Sequence, residues 1–270
     1  MGADRRCRFV KLLLLAAIAM AALVSGGGWR SDAGRGSVVL GLPAAAAPSA
    51  DYEAQVGRNA AREMERQHGL CTDAALNARV ARLAAVIHKA SGCATPVRIR
   101  ILNSREPNGV ALPGGYIYLT RGLLRLLPED ELLCAALAHE IAHIALGHMT
   151  QMLREREAAQ AGAARSTESA GGAEGGTGAP AGNAMHAREK EADQAAARYL
   201  CIANIDPRLI VRLLARLSEQ PELDASASAT HPTWEERIRS VSAYLNSPQF
   251  QAEMASWAPF QRQQAGTPPQ

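Results

Sequence analysis

The stretch Leu132-Leu133-Cys134-Ala135-Ala136-Leu137-Ala138-His139-Glu140-Ile141-Ala142-His143-Ile144 joins an apolar run to three chemically active side chains. Pro128 stands ahead of it, followed by Glu129, Asp130 and Glu131. A proline and then acidic residues mark a helix start, because the helix dipole favours negative charge in the first turn. The spacing predicts one long helix from Pro128 through Leu137 and Ile141 to at least Met149. On a helix, residues four apart lie one above the other, so the imidazoles of His139 and His143 point the same way. Two such imidazoles can share one zinc ion at about 2.0–2.1 Å. Glu140 is turned by about 100° and cannot join them as a neighbouring ligand. It can lean over a metal-bound water and take its proton as a general base. The alternative is a helix carrying two surface or capped histidines.

A catalytic zinc needs a third protein ligand and an open fourth position. The metzincin arrangement, a glycine three and a histidine six residues past the second motif histidine, is not met: those positions hold Leu146 and Met149. His148, five residues on, lies about 140° around a regular helix from His143 and is not expected to reach the same metal. Downstream, Glu189-Lys190-Glu191-Ala192-Asp193 opens a helix predicted from about His186 to Cys201. Glu189 and Asp193 share a face, so one can bind metal while the other steadies a ligand imidazole. Glu191 is turned about 200° from Glu189 and reads as solvated or ion-paired. The other reading of the segment is an ordinary charged helix start.

Working outward, a helix is expected from Asp51 to His68, ending at Gly69, and a second from an N-cap at Thr72 through Leu76, Val80, Leu83 and Ile87 to Gly92. Val97 to Leu102 alternates apolar and basic residues, as a half-buried strand does. Val110 to Leu112, Pro113-Gly114-Gly115 and Tyr116 to Leu119 read as a hairpin or sharp sheet corner. Further helices follow Pro207 and start at Thr233, where Thr233-Trp234-Glu235-Glu236 fits a capping box. Helices, a small sheet and helices again make the class α+β, mainly helical.

The chain has 270 residues, 47% of them apolar, and a net charge of +3. All of that excess sits in residues 1–26, where Arg5, Arg6, Arg8 and Lys11 face only Asp4. The balanced remainder argues against a nucleic-acid partner. The apolar run Leu12 to Val24 spans roughly 20 Å as a helix, short of a hydrocarbon core of about 30 Å. Residues 1–26 therefore read as a signal peptide for export, with membrane anchorage through this segment as the other reading. Residues 27–50 read as a disordered linker, 158–184 as a flexible low-complexity insert within a domain over 51–245, and 246–270 as a loose tail. Beyond residue 26 the cysteines are Cys71, Cys93, Cys134 and Cys201. A disulfide needs Cα atoms within about 7 Å, and the helix expected between Cys71 and Cys93 holds them roughly 27 Å apart. Cys134 and Cys201 read as buried thiols.

Four motifs in this order carry a resemblance: His139–His143, Glu189–Asp193, the hairpin Val110 to Tyr118, and His231-Pro232 with Glu236-Arg237-Ile238. Together they resemble the metallopeptidase family of the CAAX prenyl proteases, the HtpX-like heat-shock proteases and the Oma-like and periplasmic quality-control peptidases. The resemblance covers roughly residues 51–245. It implies a gluzincin-type fold, with a catalytic helix packed under a small sheet and the third ligand on a following helix. Carried over by position, it implies that His139, His143 and Glu189 bind one Zn2+ per chain, with Glu140 as base and Asp193 supporting a ligand. His231 matches a histidine near the metal in relatives, which stabilises the oxyanion or plugs the open position. Arg237 matches an arginine near the cleft, an ion pair packing the last helix being the other reading. Membrane-embedded relatives place an asparagine where Met185 stands here, and their transmembrane helices are not expected in this chain, so it resembles the soluble periplasmic branch.

The activity implied is a zinc metalloendopeptidase in envelope protein quality control, periplasmic or peripherally membrane-associated, with misfolded or misassembled envelope proteins as substrates. The alternative is a non-hydrolytic, chaperone-like binder of unfolded envelope proteins whose metal site is plugged. An exposed edge strand beside the catalytic helix would let a substrate add as a further strand; a purely structural hairpin is the other reading.

Overall fold

The computed structural model describes residues 50–168, 178–220, 223 and 232–265. The expected signal peptide (1–26) and nearly all of the linker (27–50) lie outside the described residues, as does His231. Nine helices and three strands are described: α1 (Ala50–His68), α2 (Ala74–Ser91), β1 (Arg98–Leu102), β2 (Gly109–Leu112), β3 (Tyr116–Thr120), α3 (Arg121–Leu126), α4 (Asp130–Ala145), α5 (His148–Glu168), α6 (Gly178–Ile202), α7 (Leu209–Ser218), α8 (Trp234–Leu245) and α9 (Pro248–Ala265). This is the mainly helical α+β class that the sequence predicts.

The sheet order is β1-β3-β2, with β1 parallel and β2 antiparallel to β3, and a 3-10 turn over Pro113–Gly115 closes the hairpin. Strand side chains alternate between faces, and here the two faces join different cores. Ile101, Ala111, Ile117 and Leu119 pack into the main helical core. Leu102, Val110, Leu112 and Tyr118 pack with Ala60 and Ala61 of α1. Helix α4 is apolar almost all round and accordingly buried on all sides. It lies among α2, α6, α7 and β2.

Some boundaries differ from the sequence reading. Asp73, not Thr72, caps α2: it has extended φ/ψ and its Oδ1 accepts from the Leu76 N–H. The long helix stops at Ala145 instead of passing Met149. Gly147 takes φ 69°, the left-handed conformation that ends helices at little cost, and α5 sets off from His148 at 50° to α4. Helical backbone covers 148–168 and 178–202, reaching into both ends of the stretch expected to be structureless. The tail expected to be loose contains α9, whose Phe250 is buried and stacks edge-on against Tyr244. Phe250 and Met254, four apart, present one apolar face to the core. The capping box at Thr233 and Glu236 forms as the sequence predicts. Among the described residues Cys71, Cys93, Cys134 and Cys201 form no disulfide with one another, and Cys201 is only partly buried.

Candidate metal centre

Three elements meet where α4 ends. His139 and His143 lie one turn apart on α4, and their Nε2 atoms stand 3.1 Å apart. Glu189 on α6 completes a triangle: its Oε2 is 3.5 Å from His139 Nε2 and its Oε1 3.6 Å from His143 Nε2. Donors about 2.0–2.1 Å from a tetrahedral cation stand roughly 3.3 Å from each other. The three edges match that spacing, so this donor set could hold a metal ion. Glu140 faces β2, where its carboxylate accepts a hydrogen bond from the Ala111 backbone N–H.

The surroundings of the triangle are charged and mostly buried. Asp193, one turn along α6 from Glu189, places Oδ1 3.0 Å from His139 Nδ1. Arg237 on α8 binds both carboxylates: Nη1 lies 2.9 Å from Glu189 Oε2, Nη2 2.7 Å from Asp193 Oδ1, and Nε donates to Asp193 Oδ2 at 2.9 Å. The two readings of Arg237 are thus one arrangement, since the ion pair that packs α8 is also a wall of the cleft. Against two carboxylates a single guanidinium leaves negative charge over, which favours a cation. Burial in a low-dielectric site sharpens that preference.

The same neighbours set the ionisation of the protein groups. Burial drives the His143 pKa down to about 3, which keeps that ring neutral. Burial also opposes protonation of His139, but its bonds to Asp193 and Glu189 prevail and lift it to about 10. A cation must therefore displace a proton there, as metal binding to histidine generally does. Despite their burial, Glu189 stays well below the usual carboxylate range and Asp193 is lowered too, because Arg237 and His139 stand beside them. Burial raises Glu140 to about 7, assisted by the charge of Glu189 and resisted by His139 and Arg237.

The structure therefore brings His139, Glu140, His143, Glu189 and Asp193 together, while His231 lies outside the described residues. Sequence reasoning rightly kept His148 off the metal but missed its contact with His143. It does not join the triangle, but it is fully buried behind His143, with Nδ1 3.0 Å from His143 Nδ1. The reason is the break at Gly147, which removes the regular helix on which the 140° separation depends. Glycine inside an apolar helical pattern was the available signal. Sequence reasoning also missed Asn108, which borders the cleft one residue before β2. Asn108 Oδ1 and Trp234 Nε1, both on cleft-lining residues, are buried without a hydrogen-bond partner among the described residues. Apart from Arg188, the rest of the wall is apolar, with Met149, Met152 and Met185 among its residues and Leu213 and Leu217 also contributing.

Comparison with known proteins gives a consistent result. The family model described as "Peptidase family M48" matches residues 71–245, well over half of the chain. A beta-barrel assembly-enhancing protease of Yersinia pestis is 25% identical over 230 residues, covering 77% of this chain and 46% of its own. A putative beta-barrel assembly-enhancing protease of Vibrio cholerae is 27% identical over 223 residues, covering 74% and 45%. A protease HtpX homolog of Aeropyrum pernix is 40% identical over 62 residues, 22% of this chain and 19% of that one. The chain spans about half the length of the assembly-enhancing proteases it matches.

Proposed function

The chain belongs to peptidase family M48, and we propose that it is a zinc-dependent metalloendopeptidase that is exported and cleaves misfolded or misassembled envelope proteins. The observation that carries this reading is the triangle of His139, His143 and Glu189 with its edges of 3.1, 3.5 and 3.6 Å, flanked by the half-buried Glu140. These three residues would hold the zinc, which when bound supplies Lewis acidity to the scissile carbonyl and to water.

The chain's own residues do the rest. A base working near neutral pH needs a pKa close to 7, and burial gives Glu140 such a value. Its carboxylate takes a proton from the water that attacks the carbonyl carbon. The resulting acid hands that proton to the amine nitrogen as the C–N bond breaks. Asp193 orients His139 through Nδ1, and Arg237 ties Asp193 to Glu189, so that the donors keep their places without a large reorganisation. Among the described residues strand β2 is paired on its β3 side alone, and residues from Asn108 to Ala111 line the cleft. An extended polypeptide can lie along it, adding main-chain hydrogen bonds to the free edge. His231, matched by position to a histidine near the metal in relatives, is assigned to the oxyanion or to the open coordination position.

Envelope substrates and export rest on two supports: the relatives named as beta-barrel assembly-enhancing proteases and the basic–apolar leader in residues 1–26. Metal analysis of the purified protein is expected to find one zinc per chain. Glu140→Gln is expected to keep that zinc and lose casein cleavage by about 10²–10⁴-fold, the usual worth of a positioned acid–base group. A zinc-loaded wild type that never cleaves would instead favour the chaperone-like reading with a plugged site.

A further inference from the structure

The two ligand imidazoles are steadied from behind by unlike partners. Their Nε2 atoms converge on the metal position, so both Nδ1 atoms face away from it. His139 Nδ1 meets a carboxylate directly, Asp193 Oδ1 at 3.0 Å. His143 Nδ1 meets another nitrogen, Nδ1 of His148, at 3.0 Å. His148 Nε2 in turn lies 3.2 Å from Glu191 Oε2.

Proton bookkeeping permits only one arrangement of this chain. A neutral imidazole that offers Nε2 to a cation carries its hydrogen on Nδ1. His143 Nδ1 is then a donor, and the atom facing it, His148 Nδ1, must be bare to accept. A neutral His148 therefore carries its hydrogen on Nε2, and the group waiting there is the Glu191 carboxylate, a pure acceptor. Every donor in the series meets an acceptor, and only with the tautomer of His143 that a metal needs. The opposite assignment would put His148 Nε2 bare against a carboxylate and leave His143 Nε2 protonated.

We propose that His148 and Glu191 act as a two-link relay that fixes the tautomer and ring orientation of His143, making His148 a positioning residue of the metal centre. The proposal rests on the metal-site reading above. The fold builds the relay with the break at Gly147: the 50° turn from α4 into α5 swings His148 behind His143, where a continuous helix would carry it away. His148 is fully buried, whereas the Glu191 side chain is 59% exposed. The nearer link therefore carries most of the effect, and the carboxylate, screened by water, the lesser part.

The test uses the full chain and two readouts that need no catalysis. Zinc affinity is measured by competition with a chromophoric chelator for wild type, His148→Phe, His148→Asn and Glu191→Ala. His148→Phe keeps ring volume and loses the acceptor, and it is expected to weaken zinc by about 10–100-fold, as loss of an outer partner of a ligand histidine does. His148→Asn returns an acceptor at the position of Nδ1 and is expected to recover most of that loss. Glu191→Ala is expected to weaken zinc less than His148→Phe. In parallel, long-range 1H–15N spectra of the chelated wild type are expected to show the hydrogen of His143 on Nδ1 and that of His148 on Nε2.

His148→Phe binding zinc as tightly as wild type would overturn the relay. So would equal damage in His148→Asn and His148→Phe, which would make the role one of packing. If His148→Phe fails to fold, the Asn and Glu191→Ala affinities and the tautomer spectra still decide. A wild type that binds no zinc defeats the metal-site reading separately, since the spectra are recorded without metal.

Discussion

Helices α4 and α1 press on opposite faces of the same small sheet, and different forces hold them there. Helix α4 lies inside the segment matched by the family model and α1 lies wholly before it. On the α4 side the contact is deep apolar burial, with Leu132, Leu133, Leu137 and Ile141 all but inaccessible, and it ends in a knot of buried charge at His139, Glu189, Asp193 and Arg237. On the α1 side the helix is polar and the shared cluster small, with Ala60 and Ala61 letting backbones approach. Single polar contacts then finish the job. Glu53 accepts from the Gly114 N–H at 3.5 Å and from Thr150 Oγ1 at 2.6 Å, and Tyr118 Oη donates to Glu65 at 2.6 Å. The charged knot positions donors for chemistry, while the small-residue clamp positions the hairpin that borders them.

If that contrast is right, the largest single loss should come from the knot. Arg237→Leu leaves Glu189 and Asp193 buried without their shared cation, and breaking a buried ion pair from one side costs about 3–5 kcal/mol. Denaturant unfolding of the chelated protein should show it, and zinc should restore part of the loss by replacing the missing positive charge. The pH dependence follows from the depressed carboxylates. Their contribution is fully present above the unfolded carboxylate value near 4 and is lost as pH falls below it towards the depressed folded values. In Arg237→Leu burial acts with less opposition, so this acid limb should shrink. An acid limb of undiminished size in the variant would show that the knot is not what fixes α8 to α6.

On the clamp side a smaller effect is expected, with a sign that two magnitudes decide. Gly57 on α1 faces the Pro113–Gly115 turn so closely that a Cβ there would stand 1.9 Å from Pro113 O. Alanine in a helix interior gains about 0.5–1 kcal/mol over glycine. Forcing an extra carbon into a packed contact costs about 1–3 kcal/mol, and backbone atoms cannot rotate away as a side chain can. Gly57→Ala should therefore lose stability by about 1–2 kcal/mol on balance. Because the hairpin carries Ala111 against Glu140, casein cleavage should fall with it. A Gly57→Ala protein with a higher melting temperature would mean that α1 stands off the turn in solution.

The same contrast explains what could be read from the chain alone. The pairs His139/His143 and Glu189/Asp193 are local: each needs only four-residue spacing on one helix, which any helical pattern fixes. Their meeting at 3.5–3.6 Å is long-range, and it was reached through the resemblance, not through spacing. His148 stays off the metal as the spacing predicts, but its contact with His143 could not be read, because a single left-handed residue, Gly147, resets the helix geometry within five positions. Helix α9 reads as a loose tail because the stretch after Asn246 is polar and ends in prolines, although among the described side chains Phe250 and Met254 reach the core. The α1 clamp left only weak marks in the sequence, since glycine and alanine that allow close approach look like residues with nothing to bury.

The smallest expected effect distinguishes the two sides by the end of the pH scale at which each fails. Burial, with the bond to Glu65 and its charge, pushes the Tyr118 phenol well above its ordinary value near 10. A group with a raised folded pKa contributes stability that is fully present below the unfolded value and is lost as pH rises above it. The clamp should therefore loosen in alkali, whereas the knot around Arg237 loosens in acid. Tyr118→Phe keeps the buried ring and removes only the hydroxyl. At neutral pH it should cost about 1 kcal/mol, the net worth of one hydrogen bond shared with solvent-accessible Glu65. Above pH 10 the gap between variant and wild type should close, because the wild type is losing what the variant never had. Unfolding curves at neutral and alkaline pH measure both limbs in one experiment. A constant gap across that range would mean that the phenol is not held by Glu65, and that α1 rests on the sheet through its small residues alone.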